Sequence, residues 1–93
     1  MFVGTAVIDL NLPGVTSLKE KRRRLKSLLT RLQNRFNISA AEVDFNDELR
    51  VAQIGVAVVS NDKSFGDSVI AKVIDMVRGE PEIILTDYRT EIL

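Results

Sequence analysis

Eight cations stand between Ser17 and Phe36: Lys19, Lys21, Arg22, Arg23, Arg24, Lys26, Arg31 and Arg35. The only acid among them is Glu20, whereas the rest of the chain carries five cations against twelve acids. A formally neutral protein is thus split into a basic segment and an acidic remainder. Ammonium and guanidinium groups at this density suit contact with phosphates, and the neutral total does not oppose that, because local charge density sets the field. A second constellation is Glu42, Asp44, Asp47 and Glu48. Carboxylates so close together suit proton transfer or a hard cation. They equally suit a solvated hairpin, which is how we read them. The chain has no His and no Cys. That excludes Ser-His-Asp and Cys-His nucleophiles and ordinary zinc sites. The glycines are isolated, so no Gly-rich loop cradles a phosphate. The sequence therefore predicts no enzyme, no cofactor and no metal, and its candidate site is the set of eight cations.

The element that must position those cations is a helix over Ser17–Phe36. Leu18, Leu25, Leu28, Leu29, Leu32 and Phe36 recur at three- and four-residue spacing and share a face. Ser17 and Glu20 form a capping box, and Asn37 is placed to close the other end in a left-handed conformation. On a helical projection Lys19, Arg22, Arg23 and Lys26 lie on one flank of the Leu stripe. Arg24, Arg31 and Arg35 lie on the other, and Lys21 borders the apolar face. Cations in the first turns oppose the helix dipole by about 0.3–1 kcal/mol each. Folding gives no reason for that placement, whereas an anionic partner does.

The remaining elements follow from period and punctuation. Phe2–Leu12 alternates as a strand with a nearly apolar even face, stopped by Pro13 and Gly14. Ile38–Phe45 is a second strand, with Ala41, Val43 and Phe45 alternating with Ala40, Glu42 and Asp44. Asn46-Asp47-Glu48 turns it into a third strand, Val51–Ser60, whose core face is Ile54, Val56 and Val58. Asn61 and Asp62 offer a cap for a helix over Lys63–Arg78, with Phe65, Val69, Val73, Met76 and Val77 inward and Gly79 and Pro81 as its stop. Glu82–Leu93 is a last strand, with Ile83, Ile84 and Leu85 buried, and Tyr88 is read as packing. The order β-α-β-β-α-β predicts an α+β, ferredoxin-like sandwich: a four-stranded antiparallel sheet, both helices on one face, strands one and three central. Residues 1–93 make one domain.

The open face of the central strands presents Thr5, Val7, Asp9, Gln53, Gly55 and Ala57. None of these stacks a base, so the aromatic-platform mode of RNA binding is excluded. The half-apolar face and edge strands without Pro predict a homodimer at micromolar concentration. The apolar start is interrupted by Asp9 and reads as a strand rather than a signal peptide, no run is long enough to span a bilayer, and the absence of Cys fits a reducing, cytoplasmic compartment.

Three stretches resemble the YlxP-like family of small bacterial proteins of unknown function: LPG-x-x-SLKEKR, RFN-x-S-x-AEVD-x-x-D and GVAVVSND. The likeness runs nearly end to end, and SLKEKR is its most specific part. It implies a ferredoxin-like fold, and the family's gene neighbourhoods, rich in translation-initiation and ribosome-maturation genes, imply a role near the ribosome. Relatives often carry Trp two residues after the hairpin Asp, where this chain has Leu49. The leading expectation is a non-enzymatic factor that binds RNA or a ribosomal subunit through the basic helix. The alternative is a homodimeric structural or protein-interaction module with no nucleic-acid role.

Overall fold

The computed structural model describes all of residues 1–93. Its elements are β1 (Phe2–Asn11), α1 (Leu18–Arg35), β2 (Ser39–Asp44), β3 (Val51–Ser60), α2 (Lys63–Arg78) and β4 (Ile84–Ile92). The strands form one antiparallel sheet in the order β2-β3-β1-β4. The two central strands are the two expected, and both helices cover one face. This is the ferredoxin-like arrangement.

The even positions of β1 and β3 meet the helices. Ile8, Leu10, Ile54 and Val56 are buried against Leu25, Leu28 and Leu32 of α1 and Ile70, Val73 and Val77 of α2. Period two on the strands and a 3.6 period on the helices thus close on one core. Local chemistry sets the helix starts. The Ser17 hydroxyl accepts from the Glu20 amide at 3.1 Å, and the Asp62 carboxylate accepts from the Ser64 amide at 2.9 Å.

Several details differ from the pattern-based expectation. The buried stripe of α1 is Lys21, Leu25, Leu28 and Leu32, with Leu29 only partly covered at its edge. The helix ends on an extended Phe36, whose amide reaches the Leu32 carbonyl, so Asn37 needs no left-handed turn. Gly79 closes α2 in a right-handed conformation, and positive φ falls instead at Glu82, at 66°. The inward face of α2 is turned to Gly66, Ile70, Val73, Ile74 and Val77, leaving Phe65 exposed. Gly66 faces the end of β3, where an added Cβ would make only an ordinary contact, 3.7 Å from the Ser60 Cβ. Ile83 is buried and Leu85 half-buried, but Ile84 pairs with Asn11 and is exposed on the other face.

The second strand is where alternation misleads most. Its apolar residues Ala41 and Val43 face away from the helices, and Ala40 and Glu42 face toward them. The ladder to β3 shifts between Glu42 and Asp44, with Val43 as the extra residue. Val43 folds over Gly55, where an added Cβ would lie 3.0 Å from its Cγ1, so the bulge depends on that glycine.

Candidate functional site

Of the eight cations, Lys21 is not on the surface. It occupies the Leu stripe of α1 and is fully buried. Its Nζ donates to the Phe45 carbonyl at 2.6 Å and lies 3.1 Å from Glu42 Oε2, whose side chain is 15% exposed. Phe45 has a left-handed backbone, φ 62°, and its carbonyl also accepts from the Glu48 amide at 3.0 Å. Lys21 therefore ties α1 to the end of β2 and its turn, and it contacts no phosphate. The desolvation of an ammonium is offset here by a carboxylate at ion-pair distance and a carbonyl that accepts its hydrogen bond. The spacing of Lys21 to Leu25, Leu28 and Leu32 carried this signal. Its charge concealed it.

Two more cations are held by acids of the fold. Arg24 donates to Glu20 Oε1 at 2.8 Å and lies 3.4 Å from Glu82 Oε2. Arg31 makes a two-pronged pair with Glu80, one prong at 3.0 Å. That hydrogen bond raises the Arg31 pKa, so its charge is fixed. The other oxygen of Glu20 accepts from the Thr16 amide at 3.2 Å and the Thr16 hydroxyl at 3.3 Å. This amide, with Arg24 beside it, holds the Glu20 carboxyl below the usual carboxylate range. The capping box thus closes on Thr16, one residue before the helix cap. Glu80 and Glu82 follow α2, far from α1 in the sequence, and no local pattern announces them.

What remains is one flank. Lys19, Arg22, Arg23 and Lys26 line a shallow depression on the outer side of α1 with Ser17 and Glu20. From Lys19 to Lys26 is seven residues, about 10.5 Å along the axis. Arg22 meets an acid only at 3.8 Å, the largely exposed Asp47, a pairing worth little in water. Arg35 stands apart at the far end, 5.6 Å from the Phe36 ring centre. The hairpin acids do not assemble a centre. No three carboxylates of the chain converge to hold an ion, and Glu42 is turned to Lys21. Tyr88, read as packing, is partly exposed, with the Arg78 guanidinium 5.3 Å from its ring.

The comparisons with known proteins agree with the signature stretches. Residues 3–90 match the family described as "Protein of unknown function (DUF503)". The chain belongs to this family. The DUF503 relatives include "Uncharacterized protein YlxP" of Bacillus subtilis (strain 168), 36% identical over 89 residues, covering 96% of this chain and 97% of that protein. Among solved structures, a dimeric ferredoxin-like protein from an uncultured marine organism superposes with a TM-score of 0.48 at 10% identity, covering 100% of this chain and 94% of that one. The apo form of LarC2, the C-terminal domain of a cyclometallase involved in synthesis of the NPN cofactor of lactate racemase, gives a TM-score of 0.42 at 14% identity, covering 100% of this chain and 56% of that one. Both structural likenesses are remote, and the fold assignment rests on the topology of this chain itself.

Proposed function

We propose that this DUF503 protein is a non-enzymatic RNA-binding factor that grips phosphates with Lys19, Arg22, Arg23 and Lys26. The observation that carries this reading is selective neutralisation. Lys21, Arg24 and Arg31 each have a close acid within the fold, and the four cations of the outer flank have none closer than 3.8 Å. The open sheet face adds a second support. It presents Asp9, Asp87 and Glu91, with Arg89 among them, and no stacking aromatic at its centre, so it suits RNA less than the flank of α1 does. A phosphate grip without base stacking favours structured RNA, including ribosomal RNA, over a splayed single strand.

The test is salt-dependent binding to a structured RNA, with co-sedimentation on ribosomal subunits alongside. Four phosphate contacts give a slope of log affinity against log salt of about −3. Replacing Arg22, Arg23 and Lys26 with Gln flattens it toward about −1 and weakens many RNA sequences alike. Arg24→Gln and Arg31→Gln leave the slope unchanged. Equal binding by wild type and the triple variant at low salt refutes the proposal. It would favour the interaction-module alternative.

A further inference from the structure

The sheet face turned away from the helices is bare. It carries Val43, Val51, Val59, Ile84 and Leu93, all large and exposed, Val59 by 64% and Leu93 by 65%. Its relief follows the register of the two central strands. Outward-facing partners are Val3 opposite Val59, Thr5 opposite Ala57, Val7 opposite Gly55, and Asp9 opposite Gln53. In the middle of the face Thr5 and Val7 on β1 thus stand beside the smaller Ala57 and Gly55 on β3, with Val43 of β2 lying over Gly55. A shallow apolar groove runs over Ala41, Gly55 and Ala57 between Val43 and Val7. Gln53 gives one amide hydrogen to Asp9 at 2.8 Å, and its second is free.

We propose that this face is the interface of a homodimer, two copies stacked sheet on sheet about a twofold axis that runs along the strands between β1 and β3. Such an axis lays β3 on the partner's β1 without changing level, so each register pair becomes an interfacial pair. Val7 meets the partner's Val43, which covers Gly55, Val59 meets the partner's Val3, and the second Gln53 hydrogen reaches the partner's Asp9. An isologous contact requires this kind of self-complementarity, in which whatever one copy offers it also receives. Here an apolar pair, and an acceptor and its donor, sit at matched heights on adjacent strands of one chain. An unrelated partner has no reason to carry the same relief. Arg89, now 3.7 Å from Asp9 and 3.9 Å from Asp87, stands at the rim. There it offsets the acids of the facing edges.

The area is sufficient. β1 and β3 have ten residues, β4 nine and β2 six, so the strands are ~20–33 Å long and the four together are ~19 Å wide. Each copy then covers roughly 550 Å² and the pair about 1,100 Å², above the ~1,000 Å² that a biological interface should clear. The basic flank of α1 lies on the far side of the sheet, so the dimer presents two such flanks pointing outward.

Sedimentation equilibrium between about 1 and 200 μM decides the matter, with the full chain, the double variant V7K/V59K, the single variant V59K and the helix variant R22Q/R23Q/K26Q. Wild type is expected to approach twice the 10.4 kDa chain mass. V7K/V59K is expected to be monomeric, its dimer weakened at least about tenfold by lysines that must be buried unpaired. V59K tests the same contact at a side chain already in water, where folding is not at risk, and circular dichroism checks that both variants melt as wild type does. The helix variant stays dimeric. A wild type that is monomeric throughout, lysine variants that still dimerise, or a dimer lost in the helix variant each overturns the proposal.

Discussion

Replacing Lys21 with Met removes a buried cation and keeps most of its length. At the 3.1 Å separation from Glu42, two unit charges attract by about 5 kcal/mol at an effective dielectric of 20. Taking the ammonium out of water costs several kcal/mol, so the pair as a whole contributes little. Removing one partner is different, because the cost of holding Glu42 in place remains. Loss of one partner of a buried pair typically costs about 3–5 kcal/mol. Here Glu42 keeps 15% of its side-chain surface in water, and the Phe45 carbonyl keeps its bond from Glu48. Both temper the loss, so Lys21→Met should cost about 2–4 kcal/mol. For a domain of this size that lowers Tm by about 10–25 °C. Urea denaturation with an unchanged m-value is the measurement. Glu42→Leu in the Lys21→Met background should recover at least half of the loss, since a well-packed apolar pair replaces a buried ionic one at little cost. A Lys21→Met protein within about 0.5 kcal/mol of wild type would refute the argument. So would unchanged stability with an RNA salt slope reduced by about one, the result a surface phosphate contact would give.

Other outcomes follow from the same geometry. Leu28→Ala should cost about 2–5 kcal/mol, and Leu29→Ala clearly less, because Leu28 is fully buried and Leu29 lies at the rim; the reverse order in chemical denaturation would place the inward face of α1 wrongly. Glu20 titrates below its ordinary value in the folded protein, so its contribution is fully present above the ordinary carboxylate pKa of about 4.3 and is lost as pH falls through the lower folded value. Glu20→Gln should therefore flatten the stability–pH curve in that acidic window, and a curve unchanged there would remove Glu20 from the cap.

Much of the fold was legible because it is written in short-range periods. Even residues of β1 and β3 and the spacing of Leu25, Leu28 and Leu32 each define a face. Ser17 and Asp62 start their helices with hydroxyl and carboxylate caps that need no distant partner. The order of elements then left few topologies, and the sheet adopted the expected one. The family, too, was carried by contiguous residues, and the match over residues 3–90 agrees with them.

What the sequence by itself determined was therefore which residues share a face and where the elements start. What the tertiary structure decided was which faces meet and which charges find partners. Lys21 looks like one cation among eight, and it becomes the buried tie of the helix only because Glu42 and the Phe45 carbonyl approach from β2. Arg31 looks as free as Arg23 until the segment after α2 brings Glu80 to it. Phe65 seemed an inward residue of α2, yet the helix turns Gly66 toward the end of β3 and leaves Phe65 exposed. In β2 the demand of Lys21 for a carboxylate outweighs the burial of Val43, so Glu42 points to the helices and Val43 to the open face. The physical reason is common to the three that involve charge. Hydrophobic period is a local property of the chain, but the electrostatic cost of a buried or unpaired charge depends on groups that only folding brings within about 4 Å.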